Sequence, residues 1–180
     1  KLIKKIFVEH CGELWGHTYF YRRLFIIMCM VRFLGNIEAK MDAKGRLFIP
    51  AQFRRQLQSA SEERLIMRKD VFQDCLVLYP ERVWEDELNE LKTKLNKWNP
   101  THQNIFRQFV SDVEILIPDS NGRILIPKRY LQLVDITTDV RFIGIDTKIE
   151  IWSKEKTDNL FLTAEAFSSA LEEIMKSNNE

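Results

Sequence analysis

A chain of 180 residues, 45% hydrophobic and with a formal charge of +1, has the composition of an ordinary globule that buries one compact core or two small ones. The near-neutral sum hides an asymmetry: residues 30–69 hold nine basic against four acidic side chains, a balance of +5, and residues 150–180 three against seven, a balance of −4. A basic first part and an acidic end suit a polyanionic partner at one end of the molecule, the bland alternative being two solvated faces of opposite sign.

In chain order, the first 29 residues differ from the rest. They hold Cys11, Cys29, His10 and His17, and the apolar run Leu24 to Val31 is too short for a membrane helix, which needs about 20 residues. Arg22-Arg23 stands directly before that run and no small-residue cleavage site follows, unlike a signal peptide. Residues 1–29 are therefore expected to be a non-native or disordered extension: upstream sequence read through in frame to a natural start at Met30, or else a genuine extension.

From there the periodicity predicts regular elements. Ile37 to Met41 alternates as a half-buried strand, Asp42-Ala-Lys-Gly45 is a turn, and Arg46 to Ile49 is the returning strand. Pro50 suits the first turn of a short helix, Ala51 to Leu57. Strands follow over Arg64 to Arg68 and Cys75 to Tyr79. Pro80 opens a long helix with Trp84, Leu88, Leu91, Leu95 and Trp98 in one apolar stripe, a core or subunit-interface feature rather than a cofactor box. Asn99-Pro100 breaks it, and a further helix runs through Ile105, Phe106, Phe109 and Val110.

The plan then repeats. Glu114 to Ile117 is a strand, Asp119-Ser-Asn-Gly122 a turn, Arg123 to Ile126 a strand, and Pro127 starts a short helix. Val140 to Ile145 and Ile149 to Trp152 pair across Asp146-Thr-Lys148, and Ser153 caps a closing helix with Leu160, Ala164, Phe167, Leu171 and Ile174 on one face.

The repetition is literal. Asp42-Ala-Lys-Gly-Arg-Leu-Phe-Ile-Pro50 returns 77 residues later as Asp119-Ser-Asn-Gly-Arg-Ile-Leu-Ile-Pro127, and Phe53 and Tyr130 follow at the same distance. Leu76 to Pro80 is echoed by Ile149 to Ser153. Each copy reads as β-hairpin, short helix, β-hairpin, long helix, and four short strands cannot bury both faces alone, so the two copies should share one core.

Beyond residue 30 only Cys75 and His102 remain of their kinds, which excludes an internal disulfide and a zinc site of four nitrogen or sulfur ligands, and points to a reducing, cytoplasmic setting. Cys75 reads as a buried, inert thiol in a strand and His102 as part of a helix start. No glycine-rich phosphate loop and no Ser-His-Asp set can be assembled, so enzyme chemistry has little to stand on and neither cofactor, metal nor small-molecule substrate is implied.

The paired Asp-x-x-x-Arg motifs, Asp42 to Arg46 and Asp119 to Arg123, each followed by Leu-or-Ile-x-Ile-Pro and an aromatic, resemble the MraZ family. The resemblance covers Met30 to about Met175. It implies an α+β fold: a double-repeat swapped-hairpin β-barrel of the SpoVT-AbrB kind with flanking helices, both hairpins coming from one chain. Repeats at 35–82 and 113–156, connecting helices at 83–112 and a closing helix and tail at 157–180 follow. It also implies a cytoplasmic, nucleoid-associated DNA-binding repressor of the bacterial division and cell-wall gene cluster, its own promoter included, assembled as a homo-oligomeric ring.

Within that frame the first turn is the better reader. Lys44 and Arg46 stand next to Lys40, with Arg54 and Arg55 one helix away; arginine grips guanine O6 and N7, and lysine neutralises phosphate. Asp42, Gly45, Asp119, Gly122 and Arg123 are the motif and structural positions. For both Arg46 and Arg123 the alternative is an ion pair that merely fixes the turn; DNA contact is the expectation for Arg46, the structural role for Arg123. Same-sense subunits in a ring call for short, guanine-containing direct repeats in double-stranded DNA. The competing reading is an antitoxin-type module that binds a partner protein, against which stand the two motifs and the short tail after Met175.

Overall fold

The computed structural model describes residues 31–157 and 160–177. The leading segment 1–29, the start at Met30 and the final residues of the tail lie outside the described residues. The elements are β1 (Phe33–Lys40), β2 (Arg46–Phe48), α1 (Ala51–Ser59), β3 (Leu65–Lys69), β4 (Leu76–Pro80), α2 (Glu81–Lys94), α3 (Pro100–Ser111), β5 (Glu114–Leu116), β6 (Arg123–Leu125), α4 (Lys128–Leu133), β7 (Asp139–Asp146), β8 (Lys148–Ser153), α5 (Lys154–Thr157) and α6 (Ala164–Ser177). The fold is α+β, with antiparallel sheet and helices, as the resemblance implies at this level.

The six-stranded sheet runs β1-β7-β8-β4-β3-β5, and β2 pairs separately with β6. Exchanging the two copies turns this order into its own reverse, so a pseudo-two-fold axis passes between β4 and β8. The same axis passes through the ribbon at the Leu47↔Ile124 pair, whose members are 77 residues apart.

The first strands of each copy do not pair as the hairpins predicted from alternation. β1 pairs with β7 over eight residues, and β5 with β3, each with a strand of the other copy. Only the Met41↔Leu47 bridge and the turn itself link β1 to β2. Period-2 alternation shows that a segment is a strand and which face it buries, but not which strand lies beside it. The later hairpins, β3–β4 and β7–β8, do pair as predicted. Among the described residues the ladders leave β1 and β5 as edges.

Alternation along β4 divides the core between the two faces of the sheet. Leu76 and Leu78 face the ribbon, α1 and α4, in a cluster with Phe33, Leu47, Ile49, Phe53, Ile124, Ile126, Tyr130 and Phe142. Phe53 and Tyr130, fully buried and symmetry-equivalent, hold the two short helices down, and truncating a buried aromatic of this kind costs about 3–5 kcal/mol. Cys75, Val77 and Tyr79 face the other way, onto Trp84 of α2 and Phe109 of α3. Burial pushes the Cys75 thiol far up, which suits the inert role expected of it. Trp84 and Phe109 stack at 5.4 Å, with the Arg68 guanidinium 3.9 Å over Phe109.

Two helical expectations are corrected. α2 ends at Lys94, Leu95 turns extended, and Trp98 lies outside the helix, 80% exposed. The connection is stapled instead: His102 Nδ1 accepts from the Asn96 amide at 2.9 Å, and Asn99 caps α3 by accepting from Thr101 and His102. Likewise the closing helix is not continuous from Ser153, which ends β8. α5 is described over Lys154–Thr157, where the Thr157 hydroxyl donates back to Lys154 O; residues 160–163 are not helical, and α6 starts at Ala164 behind Thr163, whose oxygens accept from Ala166 and Phe167. Leu160 thus falls outside α6, and Phe167, Leu171 and Ile174 form an exposed apolar face.

Candidate nucleic-acid interface

Both motif turns are built the same way. The Asp42 carboxylate accepts from the amides of Lys44 and Arg46, both at 2.9 Å, while its other oxygen accepts from Arg46 Nε at 2.7 Å. Asp119 does the same for Asn121, Arg123 and Arg123 Nε, at 2.9, 2.9 and 2.7 Å. Amides aimed at each carboxylate, those of Arg46 and Arg123 foremost, hold Asp42 and Asp119 below the ordinary aspartate value. The guanidiniums contribute in the same direction.

Glycine is required at both corners. Gly45 and Gly122 have φ of 80° and 77°, and a side chain at Gly45 would press on Ile126 O, the backbone of the opposite copy. The turns also clasp one another: Ile126 N donates to Gly45 O and Ile49 N to Gly122 O, each at 3.0 Å. Between them the β2–β6 ribbon alternates strictly. Leu47 and Ile124 point into the core, and Arg46, Phe48, Arg123 and Leu125 point out.

Arg46 and Arg123 therefore share one outward face in one geometry, each about a quarter to a third exposed and each tied to its own aspartate. Lys44 stands at the exposed tip of the first turn, and among the described residues no ion pair or hydrogen bond engages its ammonium. Lys40 lies just before that turn, 81% exposed, 3.5 Å from Asp139.

Arg54 and Arg55 are not grouped with the first turn, contrary to the reading from the sequence. Strand exchange carries α1 under the second turn, where Arg54 Nη1 donates to Asn121 O at 2.9 Å and its side chain fills the space over Gly122. Its Nε is buried with no partner among the described residues. The equivalent position in the second copy is Leu131, which packs over Gly45. Arg55 is exposed on α1, its Nε 3.4 Å from Ala51 O, and among the described residues no hydrogen bond or ion pair joins it to either turn.

Two outward residues escaped the sequence reading, Phe48 and Leu125, 53% and 57% exposed. The signal was present: with Leu47 and Ile49 inward, Phe48 must share the face of Arg46, and Leu125 that of Arg123.

A family model described as "MraZ protein, putative antitoxin-like" matches residues 32–107 and again 113–178. Among curated relatives, the transcriptional regulator MraZ of Bacteroides fragilis is 72% identical over 156 residues, covering 84% of this chain and 99% of that protein. That of Bacteroides thetaiotaomicron is 71% identical over 83% of this chain and 96% of its own length, and that of Christiangramia forsetii 32% identical over 81% and 94%. A duplicated Asp-turn-Arg ribbon, matched twice by one family model and along nearly the full length of such relatives, settles the kinship: the chain belongs to the MraZ family.

Proposed function

We propose that this chain is a DNA-binding transcriptional regulator whose reading surface is the β2–β6 ribbon with its two turns. One observation carries the reading. A two-stranded antiparallel ribbon, the width of element that a major groove admits, presents two arginines outward, and their aspartate partners pre-set both guanidiniums. Arg46 and Arg123 lie two residues apart along the ribbon, roughly 7 Å, which is close to two base steps. Each could address one guanine. Lys44, with Lys40 behind it and Arg55 on the flank, supplies phosphate neutralisation, and Arg54 acts on the second turn.

The strand exchange between β1–β2 and β5–β6 supports the swapped-hairpin reading of the fold, with repeats over 35–82 and 113–156. It leaves further association to other surfaces, among them the apolar side chains of Phe167 and Leu171 on α6, 58% and 47% exposed. Head-to-tail contacts through such faces would give a homo-oligomeric ring whose ribbons meet the duplex in one sense, hence short guanine-containing direct repeats. The proposed targets are the chain's own promoter and the division and cell-wall cluster, with repression as the outcome. An antitoxin-type partner is less favoured, because the pre-set arginines suit base edges rather than a protein groove.

Footprinting on the DNA upstream of the chain's own gene tests this. Protected direct repeats about 10 to 10.5 base pairs apart are expected, and inserting about five base pairs between boxes should abolish cooperative binding. A single palindrome, or cooperative binding that survives the insertion undiminished, would defeat the ring model.

A further inference from the structure

We infer that Phe48 and Leu125 are specificity-determining residues that read the C5-methyl groups of thymines flanking the guanines addressed by Arg46 and Arg123; the inference rests on the DNA reading above. Phe48 and Leu125 are symmetry-equivalent, 77 residues apart, and stand diagonally across the ribbon, since Arg46 faces Leu125 and Phe48 faces Arg123. At 53% and 57% exposure, each keeps more than half of its surface open. The Arg123 guanidinium lies 5.6 Å from the Phe48 ring, so cation and apolar surface form one continuous patch.

A surface that only tracked phosphates would gain nothing from carbon at its centre. Base edges in the major groove offer donors, acceptors and one apolar group, the thymine methyl, and phenylalanine is among the side chains that meet it. An arginine beside an apolar side chain on each strand therefore matches a guanine beside a thymine. The guanidiniums of Arg46 and Arg123, each paired with its own aspartate, flank the carbon with hydrogen-bond donors, and Lys44 stands at one end as the cation without an ion pair among the described residues, a combination that suits a nucleic acid.

The test replaces single thymines in a box by deoxyuridine, which removes the methyl and keeps every hydrogen-bonding group. It uses the full-length chain and duplex DNA from the footprinted region. Each contacted methyl should weaken wild-type binding by about fourfold, the transfer value of one buried methylene. Phe48→Ala should erase the sensitivity at one thymine and Leu125→Ala at another, while Phe48→Leu keeps it. Specific wild-type binding that is indifferent to deoxyuridine at every thymine would overturn the inference and leave the DNA reading standing, with no dependence on how any variant folds. A Phe48→Ala protein that sediments as a smaller assembly and keeps full deoxyuridine sensitivity would also overturn it, assigning the patch to a second copy. Absence of any sequence-specific binding by the wild type would remove the DNA reading and this inference together.

Discussion

The two turns are alike inside and different outside. Within each, an aspartate takes two amides and an Nε at matching distances and a left-handed glycine closes the corner. Around them, Lys44 is answered by Asn121, Phe48 by Leu125, and Leu131, packed over Gly45, by Arg54, packed over Gly122. The motif residues thus specify a shape, and the positions between and beneath them specify what the shape presents. Duplication supplied two equal frames; the differences decide how much each contributes.

The sharpest way to break this comparison is to remove the two arginines one at a time. Arg46→Ala should lose specific binding, by roughly 5-fold to 150-fold per engaged subunit if one bidentate guanine contact worth about 1–3 kcal/mol disappears. The fold should survive, because Asp42 still accepts from two amides and the lost ion pair is exposed. Arg123→Ala should lose less, since its turn has no lysine at the tip and already spends its Asn121 carbonyl on Arg54. Titrations of both variants on one operator, with circular dichroism as the control, check this. Equal losses would mean that the shared geometry outweighs the different surroundings.

Much of this was legible in the sequence. The aspartate-to-arginine spacing, the glycine that only a positive φ requires and the proline that opens each short helix all act locally, over four or five residues, and local rules are what a sequence displays. Strand partners were not legible. β1 has no marker that sends it to β7 rather than β2, because pairing across copies depends on how both pack over Phe53 and Tyr130. For the same reason the place of Arg54, one helix beyond the first turn along the chain, against the second turn is not visible in the sequence. The long closing helix failed differently: apolar spacing continues through Leu160, but residues 160–163 are turn and irregular backbone, and α6 starts only at Ala164.

Arg54→Leu gives the first copy the residue type that the second holds at the equivalent position, and it should have a smaller effect than Arg46→Ala. Removing one hydrogen bond to Asn121 O is worth about 1 kcal/mol, roughly fivefold in affinity if the second turn then loosens. The informative quantity is coupling. With Arg123→Ala the losses should fail to add by more than about 0.5 kcal/mol, and with Arg46→Ala they should add. Additivity with both, accompanied by a flatter salt dependence, would instead make Arg54 a direct phosphate contact.

The turns should be insensitive to pH across the working range. Asp42 and Asp119 have carboxyls held below their ordinary value of 3.8, mainly by the amides of Arg46 and Arg123. A depressed carboxylate adds stability that is present above its unfolded pKa and lost as pH falls through the folded one. The protection factors of the Lys44, Arg46, Asn121 and Arg123 amides, corrected for intrinsic exchange at each pH, should therefore stay constant from pH 8 to 5 and fall only below the ordinary value. Loss of protection already at pH 5 would separate these turns from their aspartates.

Lys44 provides the finest distinction, because it is the clearest charge difference between the two tips. Its ammonium is exposed and unengaged among the described residues, and it projects from a turn whose neighbouring arginine is already held by Asp42. Such a group suits a phosphate better than a base edge. A neutralised phosphate contributes about −0.9 to the slope of log affinity against log salt, so Lys44→Ala should flatten that slope by about one unit per engaged subunit. Between 50 and 200 mM salt, wild type should lose about threefold to fourfold more affinity per subunit than the variant. Discrimination between operator and scrambled DNA should hardly move, since phosphates position the protein and carry no sequence. Asn121→Lys offers the converse, placing the same charge on the second tip. If that tip approaches the backbone as the first does, the slope should steepen by a similar amount; if it is held away by its bond to Arg54, the slope will stay where it was. An unchanged slope in Lys44→Ala, by contrast, would take the first tip out of the interface and reverse the ranking of the two turns.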